Sequence, residues 1–437
     1  MDTAALATLV LLGGFVVLMC LRVPISFALL LSTLGSALVS GTNLTAMINQ
    51  MVSGVSSYAL LAIPFFILMG EIMGAGGISE KIVDFANLMV GRFRGGLAYV
   101  NCLDSMFFGG ISGSAVADVS SLGSVVVPMM KKQGYTPEFS VALTVTTSCQ
   151  GVLIPPSHNM IIYALAASGL ASVNIEHLLM AGLIPGVSLG MALMLLCFIM
   201  AERYKFPRGV IVPRGERLKV LINAILPLLT LVIIMGGVAA GIFTVTESAA
   251  FACLYTFLLT YIVFRSARLR DIGKVLRNTL RTLAVVLTLI GTAKAFAYMM
   301  SDLRIPDQIT AALLSVTQNK YVLLLLINAL LLLLGCFMDM APLIMIMTPI
   351  LLPVVMSPAI GMDPIHFGVM LIFNLAVGLC TPPVGSALFV GCAVGKTSLE
   401  KTAKAALPMF AMMFVVLMLV TYIPEITMWL PGVLFGK

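Results

Sequence analysis

Charge is what this sequence has least of. Asp, Glu, Lys and Arg make up 10% of its 437 residues, against 60% hydrophobic. A soluble domain of that length carries about a quarter charged residues, so the composition, with a mean hydropathy of +1.11, excludes one. There is one Trp and there are three His. No HExxH, no GxSxG and no apposed Asp pair occurs, so the chain shows no sign of an enzyme's metal-bound water or activated nucleophile. Eight Cys lie in apolar segments without a CxxC pair, which excludes a zinc site and a disulfide framework and leaves them as small packing residues. "GCAVGKTS" (391–398) places only three residues between Gly391 and Gly395. A phosphate-binding loop needs four and a preceding strand, so Lys396 reads as a topology anchor.

What is present reads as an all-α polytopic membrane protein. The first apolar segment, Ala4 to Leu21, has neither a basic leader nor a small-residue cleavage site and is expected to be a retained span. All but four of the Lys and Arg residues (Lys294, Arg304, Lys320 and Lys437) fall in connections that alternate along the chain. By the positive-inside rule those connections face the cytoplasm and the N-terminus lies outside. The +7 net charge is therefore a topology signal and not a nucleic-acid footprint.

Two uncharged runs, Val141–Ile175 and Pro364–Gly395, each carry a proline pair near the centre: "LIPPSH" (153–158) and "LCTPPVG" (379–385). About 20 apolar residues cross a bilayer, and prolines there remove donors that lipid cannot replace. A shift of 227 carries Pro155 and Pro156 onto Pro382 and Pro383, Pro137 onto Pro364, Gly151 onto Gly378, and Ile78 and Ile82 onto Ile305 and Ile309. This common shift predicts a duplication, with copies at 1–200 and 220–437 joined by a cytoplasmic linker at 201–219. Lys131 and Lys132 precede the first broken helix, whereas 356–363 before the second has no Lys or Arg. The copies are therefore expected to be inverted, as in secondary transporters.

Before each broken helix (about 137–170 and 364–395) lies an apolar stretch with a small polar centre, expected to be a re-entrant helical hairpin. The first spans about 96–131 with "GGISGSAVAD" (109–118) at its tip. The second spans about 321–355, with its tip at Met338–Ala341. Each tip is expected to meet the break of its own copy, where freed carbonyls hold a cation and helix N-termini face an anion.

The sets "GEIM…GGIS", "GGISGSAVAD", "LIPPS", "TVTESAA", "MDM.P…TP" and "GLCTPPVG" together resemble the large membrane subunit of tripartite ATP-independent periplasmic (TRAP) transporters, over nearly the whole chain. The resemblance implies an elevator-type secondary transporter of the bacterial inner membrane. It also implies sodium-coupled uptake of an organic acid, a small membrane subunit and a periplasmic substrate-binding protein. Sodium is then the coupling ion, with no other cofactor. A self-sufficient sodium–dicarboxylate carrier of similar architecture is the alternative.

Ser112, Gly113 and Ser114 with Gly151, Ile154 and Ser157 form the first sodium-binding candidate set. Met338, Asp339 and Ala341 with Gly378, Thr381 and Gly385 form the second. For both, the competing reading is close helix packing by small residues. Asp118 is read as an acid favoured by a helix N-terminus, a reading also open for Asp339. His158 and Asn159 are substrate-contact candidates, with a carbonyl-satisfied histidine the equal alternative for His158. Asp104, Glu71 and Lys294 are intramembrane ionisable groups, and Lys294 is expected to pair with an acid between domains.

Overall fold

The computed structural model describes residues 3–209, 212–317 and 319–436; 210 and 211 of the linker lie outside them. Among the described residues the chain is helical, with a single isolated bridge between Arg94 and Arg208. The first copy contains α1 (Thr3–Cys20), α2 (Ile25–Ser40), α3 (Leu44–Val55), α4 (Ala62–Ala75), α5 (Ile78–Val90), α6 (Gly96–Ser112), α7 (Ala115–Lys132), α8 (Pro137–Thr147), α9 (Gln150–Leu153), α10 (His158–Ala167) and α11 (Ile175–Arg203). The second contains α12 (Arg217–Ala239), α13 (Val245–Leu258), α14 (Ile272–Asp302), α15 (Ile305–Val316), α16 (Lys320–Gly335), α17 (Met340–Met356), α18 (Pro364–Cys380), α19 (Ser386–Gly395), α20 (Leu399–Tyr422) and α21 (Glu425–Phe435). Helices α11 and α12 each run three residues into the segment read as linker.

Among the described residues seven helical stretches are long and apolar enough to span a bilayer. The hairpin arms and broken helices, at 4 to 18 residues, are too short for one plain span except α7, whose 18 residues end in Lys131 and Lys132.

Local chemistry sets the helix starts. Thr136 caps α8, its hydroxyl accepting from Phe139 N at 3.4 Å, with Pro137 at the first helical position. Asp363, 227 residues on, caps α18 by accepting from Ile365 N at 2.7 Å, with Pro364 in the same place. A proline there gives up a donor that a first turn would leave unpaired anyway. The "TVTESAA" stretch resolves into a capping box. Thr244 Oγ1 accepts from Glu247 N at 3.3 Å, and Glu247 Oε2 accepts from Thr244 N at 2.8 Å.

Two bodies follow from which helices pack together. Hairpin α6–α7, broken helix α8–α10, hairpin α16–α17 and broken helix α18–α19 cluster with α11 and α20, while α1 packs on α2, α2–α4 pack on α14, and α12 packs on α5 and α13; α5 against α6 and α14 against α17 join the two groups. The broken helices lie side by side. Cys149 Sγ reaches Ala376 O at 3.0 Å, Cys380 Sγ reaches Val145 O at 3.1 Å, and the two free thiols are 2.9 Å apart.

Candidate functional site

The first tip is a tight turn. Gly113 caps α6 in the left-handed region at φ +63°, its N–H donating to Gly109 O, a conformation that a side chain disfavours. Ser114 then caps α7, accepting from Ala117 N at 3.4 Å. Opposite the tip, Ile154 turns extended and the chain passes through Pro155 and Pro156. Neither proline has an N–H, so Gly151 O and Val152 O lose their helical donors.

Tip and break touch. Asn159 Nδ2 reaches Gly113 O at 3.5 Å, and a Cβ on Gly113 would lie 3.0 Å from Pro156 O and 3.1 Å from His158 Nδ1. In the second copy Gly385 N donates to Cys336 O at 3.1 Å. Behind each contact two helices cross backbone to backbone at a glycine pair, Gly109 on Gly151 and Gly335 on Gly378; a Cβ on any of the four would meet the partner glycine's backbone.

The candidate residues divide accordingly. Ser112 Oγ is engaged within the turn, with Gly109 O and Ser114 O both at 3.4 Å. The Ile154 side chain fills space beside Gly110 and Gly186, leaving its backbone for the site. Gly151 and Gly378 make the close crossings. Thr381 Oγ1 donates back to Val377 O at 2.7 Å and keeps an oxygen lone pair free. Asp339 occupies the N-cap position of α17, exposed on the cavity described below, and Ala341 lines it too. Met338 is half-buried, its N–H donating to Leu334 O at 3.1 Å.

Ser157 Oγ is fully buried without a partner among the described residues, and so is Ser386 Oγ. Each lies at or beside the start of the second half of a broken helix. Ser157 belongs to the sequence-based set, whereas Ser386 does not; its place directly after Gly385 was the available signal. A buried, unpaired hydroxyl costs free energy unless something supplies a partner. Oxygens at two breaks fit a hard monovalent cation, and sodium is consistent with these donors.

Between the two bodies lies a cavity of about 1370 Å³. Four helix N-termini of the hairpins and broken helices reach it, α7 through Ser114–Ala117, α10 through His158 and Asn159, α17 through Met340–Pro342 and α19 through Ser386, and the starts of α2 and α14 line its rim. Among the described lining residues Lys and Arg are confined to Arg268 and Lys274, beside the basic connection 265–271. On the same side Glu71 lines the cavity and accepts from Asn278 Nδ2, one turn beyond Lys274 on α14, at 3.2 Å. His158 and Asn159 both face the cavity, and no carbonyl bond of the His158 ring is seen among the described residues.

Other groups find structural duties. Asp118 does more than sit near a helix N-terminus: its carboxylate accepts from Ser105 Oγ at 2.7 Å and ties the two hairpin arms together. Asp104 is buried with both oxygens unpartnered among the described residues. Lys294 differs from its expected acid pairing, donating instead to Ser168 Oγ at 2.6 Å and Ser168 O at 3.3 Å. His366 bonds Val420 O at 2.7 Å and His177 stacks on Phe435.

Two helical hairpins and two broken helices around one cavity define an all-α inverted-repeat membrane transporter. Residues 12–426 match the family described as the tripartite ATP-independent periplasmic transporter, DctM component. The chain is 40% identical to YgiK of Salmonella typhimurium, over 97% of both chains. It is 36% identical to the sialic acid TRAP transporter large permease SiaM of Vibrio cholerae, over 97% of this chain and 98% of SiaM. The fold is similar to the crystal structure of the YdaH transporter of Alcanivorax borkumensis, with a TM-score of 0.63 at 14% identity, over 89% and 90% of the two chains. The chain belongs to the DctM family: it is a TRAP transporter large permease.

Proposed function

We propose that this permease carries an organic acid across the bacterial inner membrane together with sodium. It works with a small membrane subunit and a periplasmic substrate-binding protein. The observation that carries the reading is the convergence of the four helix N-termini of the hairpins and broken helices on one cavity, where that wall has no Lys or Arg among the described residues. Each N-terminus presents unpaired N–H groups and about half a positive charge, which suits a carboxylate. The oxygens at Gly151–Ser157 and Thr381–Ser386 suit the coupling cation, and binding the cation strengthens the site for the anion. The relative SiaM is named for sialic acid, itself an organic acid.

Access follows from the charge pattern. The cavity opens beside Arg268 and Lys274, on the side that the positive-inside rule assigns to the cytoplasm. This conformation is therefore inward-facing. Transport then moves the hairpin and broken-helix body against α1–α4 and α12–α14, an elevator motion that carries both sites together.

Reconstitution into proteoliposomes tests the reading. Uptake of sialic acid or a dicarboxylate is expected to require an inward sodium gradient and the binding protein, and to proceed without ATP. Uptake by the permease without the soluble protein would favour the self-sufficient carrier. ATP-driven uptake at zero ion gradient would overturn sodium coupling.

A further inference from the structure

We infer that Lys294 is a latch that holds the permease in its inward-facing state, an inference that rests on the two-body reading above. Lys294 lies in the half of α14 remote from its basic start, and Ser168 caps the outer end of α10. Helix α14 packs chiefly on α2, α3 and α4 of the static body and also touches α17, while α10 packs chiefly on α17 of the moving body and also touches α4. The two ammonium bonds, at 2.6 and 3.3 Å, therefore cross between bodies at the end of the seam away from the cavity mouth.

Three features set this contact apart from a buried structural lysine. Among the described residues Lys294 has no carboxylate within salt-bridge range; the ion pairs there are Arg94–Glu202 and Lys404–Glu400. A cation inside a membrane segment is costly, and its main compensation here comes from a residue of the other body. Space is also made for its stem: a Cβ on Gly54 of α3 would lie 2.7 Å from Lys294 Cγ. Finally, the bond joins the bodies at the end away from the basic connection, while the large cavity separates them at the basic end. Any displacement of α10 along α14 breaks both bonds at once. Lys294 thus favours one state over the other, as a state-dependent contact must if it is to shift a two-state equilibrium. It is a positioning residue and touches no substrate.

The test uses Ala117→Cys, an exposed cavity position on α7, in a Cys20→Ala background within the assembled transporter. An impermeant thiol reagent is applied to either face of oriented vesicles. With Lys294 intact, rapid labelling from the cytoplasmic face and slow labelling from the outer face are expected. Lys294→Met removes the ammonium and keeps the stem. It is expected to raise the outer-face rate on the order of tenfold, the loss of a charge-assisted hydrogen bond. Ser168→Ala keeps the carbonyl and is expected to give a smaller rise, which supports the latch even if Lys294→Met reaches the membrane poorly. Normal cytoplasmic labelling with unchanged outer rates in both variants overturns the latch and leaves the inward-facing reading standing. Failure of the parent to label from the cytoplasmic face removes the inward-facing reading, and the latch with it.

Discussion

Thr147 donates its hydroxyl to Asn101 Oδ1 at 3.0 Å, and the shift of 227 turns this pair into another hydrogen-bonded pair: Asn374 Nδ2 donates to Asn328 Oδ1 at 2.7 Å. Each pair joins the first arm of a hairpin to the broken helix of the same copy, below the tip. Asn101 also donates to Thr144 Oγ1 at 2.7 Å. All of these side chains are polar and buried, so the bonds hold hairpin and break in register where lipid and water offer nothing.

Asn101→Ala and Asn328→Ala are accordingly expected to loosen their own copies. Buried side-chain bonds between membrane helices contribute about 0.6–2 kcal/mol, too little to prevent insertion. The expected result is a lowered melting temperature of the purified protein at normal membrane abundance, measured by thermal unfolding. An unchanged melting temperature in both would remove the registering role.

Glycine pairs set the approach behind each tip. Gly151→Ala would press a methyl group onto Gly109, and Gly378→Ala would do the same to Gly335. Overpacking of this kind costs about 1–3 kcal/mol, and the relief available is separation of hairpin from break. Sodium-dependent transport is expected to fall steeply in both variants, at a melting temperature only moderately reduced. Transport at the parental rate would show that the crossing is not needed for the site.

Ser157→Ala and Ser386→Ala probe the two unpaired hydroxyls directly. Loss of one cation ligand in a dry site is expected to cost about 1–3 kcal/mol, or roughly five- to 150-fold in the sodium concentration for half-activation. Removing a buried hydroxyl that has no partner should meanwhile leave stability unchanged or slightly raised. Sodium titration of transport and thermal unfolding, run on the same preparations, separate the two effects. Lost stability with unaltered sodium activation would assign these serines to packing.

The inverted topology has its own check. Lys131→Cys and Asp363→Cys are expected to react with an impermeant thiol reagent from opposite faces of the membrane. Labelling from the same face would contradict inversion.

The repeat is read from prolines and glycines, which keep their positions when surrounding apolar residues drift. Pro137, Gly151, Pro155 and Pro156 have partners at one shift, and prolines interrupting an uncharged run are conspicuous. Thr136 and Asp363, the caps at that same shift, differ in type and escape a search for identities. Gly109 and Gly335 are two of 38 glycines, and only the packed structure shows which glycines face each other. The partner of Lys294 was out of reach for a similar reason. An intramembrane lysine suggests a carboxylate, whereas Ser168 is recognised only once the fold brings the end of α10 within reach of the Lys294 side chain. Local chemistry is written along the chain, and contact between segments more than a hundred residues apart is not.

The proline breaks carry the central claim, and one measurement reaches it most directly: sodium-dependent transport by the Pro155→Ala, Pro156→Ala double variant, at membrane abundance equal to the parent. Alanines restore the N–H groups, close the helix onto Gly151 O and Val152 O, and withdraw from the tip at Ser112–Ser114 the oxygens assigned to the cation. Sodium activation is expected to be lost or shifted far beyond the effect of Ser157→Ala alone. Transport with the parental sodium dependence would contradict it, for the break would then be a packing kink and the cation would bind elsewhere.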